Sequence, residues 1–217
     1  MLLNKIQVAL RPKGLRSFIN QHSKPYENIL DVGCGNESSI FINRLNPKLN
    51  IYGIDIADYN QSDYSKQLYK QYIITDPEIF DSSIVSIDQK FNMITSNHNI
   101  EHCNDPLKTF NAMIESLIPG GHLFIATPSL NSVSFPSRKG TLNFYDDHTH
   151  KNPIDLLHLA NNTSHEIEVL HFSSNSKPFF WYFIGFLNEL RSNILGKVLL
   201  GTWDYYGFEQ IIWIKKI

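Results

Sequence analysis

Asn28-Ile29-Leu30-Asp31-Val32-Gly33-Cys34-Gly35-Asn36 decides how the rest of the chain is read. Ile29, Leu30 and Val32 make the apolar run of a strand covered on both faces. Gly33 and Gly35 follow and let the backbone bend tightly and approach a ligand with no Cβ in the way. From Ser38 the positions Ile40, Phe41 and Leu45 carry a helical period, which Pro47 stops. A second strand, Ile51-Tyr52-Gly53-Ile54-Asp55, then ends in another carboxylate. A glycine turn with an acid at the next strand tip is suited to holding a nucleoside by its ribose hydroxyls. The dinucleotide fingerprint wants a third glycine where this chain has Ser38, and that glycine serves a pyrophosphate. With Asp31 just ahead of the turn, the pattern favours a ligand that carries an amino acid instead.

The totals narrow the field. A chain of 217 residues makes one domain of ordinary size. A formal charge of −2 supplies no basic field, which argues against nucleic acid as the partner. Cys34 and Cys103 make neither a disulfide framework nor a zinc spacing, and read as small buried residues in a reducing compartment. The opening Met1-Leu2-Leu3-Asn4-Lys5 lacks the pattern of a signal peptide. The longest apolar run, Phe179 to Leu187, falls far short of the roughly 20 residues that span a bilayer. The expectation is a cytoplasmic protein with no transmembrane segment.

Working outward, Leu15, Phe18, Ile19 and His22 predict an amphipathic helix over residues 12–22. Residues 58–70 read as a polar connection with a short helix, and Gln71 to Thr75 as a third strand. Phe91 to Asn97 is a fourth strand, followed by His98-Asn99-Ile100-Glu101-His102. Asp105-Pro106 opens a helix that Pro119-Gly120-Gly121 is expected to end, and His122 to Thr127 is a fifth strand. Strands alternating with helices at this rhythm predict right-handed βαβ units and an α/β fold with a mostly parallel sheet.

The glycine tract resembles motif I of the class I S-adenosylmethionine-dependent methyltransferases, and Ile54-Asp55 resembles their second motif. More specific is the series from Phe91 to Ser129: a strand ending Ser-Asn-His, then Ile-Glu-His, a helix, Pro-Gly-Gly, and a strand ending Thr-Pro-Ser. The resemblance covers roughly residues 26–172. It implies a Rossmann-like sheet of seven strands, the last antiparallel, with helices on both faces. It also implies S-adenosylmethionine as cofactor, held by Asp31, Gly33, Cys34, Gly35, Asp55, Ile56, Asp76, Ser96 and Asn97. Glu101 and His102 are read as anchors of the strand-to-helix turn.

The whole chain, 1–217, is expected to be one such domain with two additions. The first, at about 130–152, leaves the carboxyl edge of the fifth strand, where open α/β sheets bind ligands. Loops this long are usually functional or disordered. It supplies Arg138, Asn143, Tyr145 and Asp147 as substrate residues, with Asn152-Pro153 expected to cap the next helix. A hydroxyl acceptor must lose a proton, and histidine suits that task. His150 leads as base or substrate ligand, ahead of His148, with His98 as competitor. Asp147, His148 and His150 lie too close in sequence to favour a metal, so none is expected.

The second addition, at about 178–201, is an apolar helix between the sixth strand (Glu166 to Ser173) and the last (Gly207 to Ile217). It reads as a cap on the cleft; the sharper readings are a homodimer face and a wall near a membrane. The expected function is methyl transfer to a small molecule, leading with O-methylation of a sugar or sugar nucleotide for bacterial surface polysaccharide. That choice rests on the resemblance of the Asn/Asp/His-rich insert, with Arg138 and Lys139 available for phosphates. The alternatives are a quinone, phenol or protein methyltransferase, and a non-catalytic scaffold.

Overall fold

The computed structural model describes residues 14–173 and 179–217. The stretch Met1-Lys5, read as lacking a signal-peptide pattern, the start of the helix at residues 12–13 and the start of the insertion at Pro178 lie outside them. Strands β1 (Asn28–Val32), β2 (Asn50–Asp55), β3 (Tyr69–Ile74), β4 (Phe91–Asn97) and β5 (Leu117–Pro128) run parallel. β7 (Glu209–Lys216) pairs antiparallel with both β5 and β6 (Ile167–Ser173). The result is one seven-stranded sheet in the order β3-β2-β1-β4-β5-β7-β6. Strand order reverses between β1 and β4, so their carboxyl ends open a crevice at the sheet's centre.

Alternation along the strands builds two cores. Leu30, Ile94, Leu123, Ile125, Ile212 and Ile214 face one layer, with α4 (Phe80–Val85) and α5 (Pro106–Ser116) contributing Phe80, Ile84, Phe110 and Met113. Ile29, Met93, Phe124, Ala126, Ile211 and Trp213 face the other. There α1 (Leu15–His22) sets Phe18 against Phe124 and Trp213, ring centroids 5.5 and 5.6 Å apart. Short helices α2 (Ser38–Leu45), α3 (Asp63–Gln67) and α6 (Leu156–Asn161) complete the layers.

Three local readings are corrected. α5 ends at Ser116, and Pro119-Gly120-Gly121 lies inside β5, because Leu117 already pairs with Phe91 before the register shifts to Met93 beside His122. The cap of α6 is Asp155, whose carboxylate accepts from the Leu157 and His158 amides; Asn152 donates to the Cys103 carbonyl instead. The turn at Pro77–Ile79 and α4 fill a stretch for which the sequence reading offered no element.

The second addition is α7 (Phe179–Leu195), lying against α8 (Thr202–Tyr206). The two backbones meet at Gly185 and Gly201, where a Cβ on Gly185 would stand 1.9 Å from the Gly201 carbonyl oxygen.

Candidate active site

The cleft is built at the ends of β1, β2 and β4. Gly33 takes a φ of 78°, in the left-handed region that favours glycine. Asn36 and Glu37 follow there too, at 54° and 56°, so the turn from β1 into α2 is unusually tight. Asp31, the acid before the glycines, is buried. Its oxygens accept from Thr95 Oγ1 at 2.9 Å and from Ser38 Oγ, tying β1 to β4 and to α2. Burial pushes this carboxyl up to about 6, against the pull of those two hydroxyls.

Asp55 is the acid that reaches the cleft. It is half-buried at the tip of β2, and its Oδ1 accepts from the Ile56 amide at 2.7 Å. Burial raises its pKa, opposed by the amides of Ile56, Ala57 and Gly35. A Cβ on Gly35 would lie 3.5 Å from Asp55 Oδ2 and 3.2 Å from Tyr59 Cδ1. The missing side chain therefore leaves a slot between the turn, the carboxylate and an exposed tyrosine. A slot floored by backbone and edged by a carboxylate that accepts two hydroxyl donors fits the ribose of an adenosyl ligand. Gly33 is tighter: a Cβ there would fall 2.4 Å from Asn99 Cγ, so Asn99 packs over the turn.

The other expected cofactor residues differ in what they present. The Cys34 side chain is buried, and a Cβ on Gly53 would lie 2.8 Å from its Sγ, so Cys34 can meet a ligand only through its backbone. Asp76 caps the turn after β3, accepting from the Glu78 amide at 2.8 Å. Ile56 and Asn97 are exposed, whereas Ser96 is fully buried with its Oγ unbonded.

Beyond β4 the side chains converge. His98, at a φ of 51°, places Nε2 3.0 Å from Glu209 and Nδ1 3.3 Å from Glu101. Burial works against its charge, but the two carboxylates outweigh burial and raise it to about 10. Glu101 is fully buried. Its Oε2 accepts from Thr127 Oγ1 at 3.0 Å and its carbonyl from the Lys151 and Asn152 amides, which pins the first addition to the sheet. His150 is 5 % exposed at its side chain. Its Nδ1 donates to the Phe144 carbonyl at 2.6 Å, and Nε2 lies 4.0 Å from Glu101 Oε1 and 3.9 Å from Asp147 Oδ2. His148 is exposed and outside this group.

The remaining substrate candidates divide. Asn143 braces its own loop, donating to the Phe135 and Val133 carbonyls, while Tyr145 is 66 % exposed. Arg138 is turned inward and committed to Glu189 of α7. The sequence reading missed three residues. Glu209 and Asn99 reach the site only through the tertiary fold, and Glu101 reads first as an anchor of the turn, with substrate contact as its second reading; an acid followed by histidine at a strand tip is the available signal.

The profile of the methyltransferase domain matches residues 5–165. The chain belongs to that family. The methyltransferase uses S-adenosylmethionine as cofactor and has the class I Rossmann-like fold. Among solved structures it is similar to the plantazolicin methyltransferase BamL in complex with a triazolic desmethylPZN analogue and S-adenosylhomocysteine. That match has a TM-score of 0.62 at 17% identity, over 98% of this chain and 87% of that one. An S-adenosylmethionine-dependent methyltransferase from Mesorhizobium loti gives 0.57 at 13%, over 92% and 96%. The [4+2]-cyclase SpnF gives 0.54 at 14%, over 93% and 79%. Likeness at these identities speaks to the fold alone. Comparison with curated proteins gives no match.

Proposed function

We propose that the methyltransferase methylates a hydroxyl oxygen of a small acceptor, and that the acceptor is a sugar unit of a bacterial surface polysaccharide, modified in the cytoplasm. The observation that carries this reading is the cluster beyond β4: the His150 Nε2 stands 4.0 Å from Glu101 and 3.9 Å from Asp147. Because Nδ1 donates to a carbonyl, the neutral ring presents its lone pair at Nε2. Carboxylates and an imidazole acceptor are the groups that receive hydroxyl donors. Beside them Trp203 and Phe208 stack at 5.5 Å, with His98 6.5 Å from Phe208. Phe208 is buried between these two rings, so Trp203, 41 % exposed, is the aromatic face that suits a pyranose, apolar on one face and hydroxylated at its rim.

S-adenosylmethionine supplies an electrophilic methyl on a sulfonium, and the residues of this chain supply alignment. Asp55 and the glycine turn orient the nucleoside side. The cluster around His150 receives the acceptor hydroxyl and accounts for its proton. His98 has carboxylates at both ring nitrogens and supplies fixed charge. Since Arg138 is committed to Glu189, the sugar is proposed in a form that does not need that arginine for phosphate recognition.

The test is turnover on a panel of glycans, sugar nucleotides and lipid-soluble phenols. Sugar hydroxyls should be methylated, and His150→Gln should lose roughly 100-fold in turnover with S-adenosylhomocysteine affinity kept. Turnover on phenols with none on any sugar would refute the acceptor assignment.

A further inference from the structure

Glu101, His102 and His150 each offer a ligand atom within 4.8 Å of the others. The set differs from the Asp147, His148 and His150 group weighed from sequence, since His148 stays outside. Proximity alone is common among polar side chains, so three further features matter.

The first is the state of the rings. His150 Nδ1 lies 2.6 Å from the Phe144 carbonyl and His102 Nδ1 lies 3.1 Å from the Thr149 carbonyl. A carbonyl only accepts, so each Nδ1 carries a proton, and in the neutral ring the lone pair then lies on Nε2. Metal-bound histidines are held in this way, by an outer hydrogen bond to the second nitrogen.

The second is Glu101. Its side chain is fully buried, and Oε1 has no hydrogen-bond partner although Oε2 is satisfied by Thr127. His98 Nδ1 stands 3.3 Å from Oε1 without hydrogen-bond geometry, and His150 Nε2 is 4.0 Å away. Oε1 thus pairs by charge with the His98 ring but makes no hydrogen bond, and its open side faces His150, the place a cation would take.

The third is Asp147. Thr149 holds its Oδ1 through the amide at 2.8 Å and the hydroxyl at 2.6 Å. Its Oδ2 is turned toward the same His150 nitrogen, 3.9 Å away.

We propose that Glu101, His102 and His150 bind one divalent first-row transition ion of the zinc class, with Asp147 beside it and a position open toward the cleft. Two imidazoles and a carboxylate favour such an ion over magnesium or calcium, which prefer oxygen ligands. Ligand bonds of about 2.0–2.2 Å require the triangle to close by about 1 Å, and the half-exposed His102 ring is the part free to move. The inference deepens the reading above and rests on it for the role of the ion. With the His150 lone pair on the ion, the task of handling the proton passes from that ring to the ion: an acceptor hydroxyl at the open position becomes more acidic, and its proton leaves to water.

The experiment uses the full chain, stripped with chelator and free of cofactor and acceptor, titrated with ZnCl2 by calorimetry and with CoCl2 by visible absorption. The expected result is one ion per chain with cobalt bands of a nitrogen- and oxygen-bound site. His102→Gln and His150→Gln should each weaken binding by about tenfold or more, and His158→Gln, at an exposed helix position, should leave it unchanged. Glu101 is buried and its replacement endangers the fold, so the half-exposed His102 carries the test. No saturable binding, or equal binding by the His102 and His150 variants, would mean an adventitious ion only and overturn the proposal. If chelated protein still methylates sugars, the metal fails while the acceptor reading stands; if it binds zinc but methylates no sugar, the reverse holds.

Discussion

Arg138 and Glu189 close a two-pronged ion pair between the long loop and α7, Nη1 to Oε2 at 2.8 Å and Nη2 to Oε1 at 2.6 Å. Ser192 and Tyr206 complete the arrangement. Arg138 is 4% exposed, and the Tyr206 ring lies beneath its guanidinium with 5.6 Å to the centroid. An arginine that sequence placed in a substrate loop is thus the fastener of the apolar helix.

Breaking that pair leaves a buried charge. Glu189→Ala should cost about 3 kcal/mol in denaturant unfolding and expose α7 to protease. The double change Arg138→Met with Glu189→Leu should recover most of the loss. A cost for Glu189→Ala near that of a surface pair, under about 0.5 kcal/mol, would show that the fastener is not needed.

The close approach of α7 and α8 makes a second, independent forecast. Gly185→Ala drives a methyl into the Gly201 carbonyl, so the helices must separate. A loss of about 2 kcal/mol is expected, with the sheet intact by circular dichroism. Unchanged stability would mean that the contact is not held in solution.

How much was legible beforehand follows from which information is local. β1 and β2 announce themselves by short, mostly apolar runs, Ile29-Leu30-Asp31-Val32 and Ile51-Tyr52-Gly53-Ile54, with Asp31 and Asp55 at their ends, and β4 by Met93-Ile94 ahead of its polar tip Thr95-Ser96-Asn97, because strands covered on both faces are mostly apolar. α4 rests on Phe80 and Ile84 alone, too few positions for a period. Pro119-Gly120-Gly121 carries every mark of a stop, yet pairing of Leu117 with Phe91 brings it into β5. Likewise Arg138 finds its partner 51 residues away and His98 finds Glu209 111 residues away, distances over which no spacing rule operates. The glycine turn and Asp55 are readable because each strand end is built from neighbours in sequence.

The tight turn at Glu37 gives a third forecast. Its left-handed backbone, φ 56°, suits glycine, and its side chain makes no capping bond to α2. Glu37→Gly should raise stability by about 0.5 kcal/mol with cofactor affinity unchanged. A clear loss of either would assign the carboxylate a task in the cleft.

Two buried groups should oppose each other in the acid limb of the stability curve. Asp31 is held up at about 6 from 3.8, so the native state binds its proton more tightly. Its contribution is full below 3.8 and fades as pH rises through 6. Burial and the neighbouring His122 hold His22 down to about 4 from 6.5, so its contribution is present above 6.5 and lost as pH falls toward 4. Between pH 6 and 4, wild type should gain on Asp31→Asn, and His22→Phe should gain on wild type. Parallel curves for all three proteins would reject both assignments.

The central claim is that the slot between Gly35, Asp55 and Tyr59 holds the adenosyl cofactor, and calorimetry with S-adenosylhomocysteine addresses it most directly. Wild type should bind with micromolar-range affinity, and Asp55→Ala, folded by circular dichroism, should give no measurable heat. Equal binding by the two proteins, or none by wild type, would contradict the account.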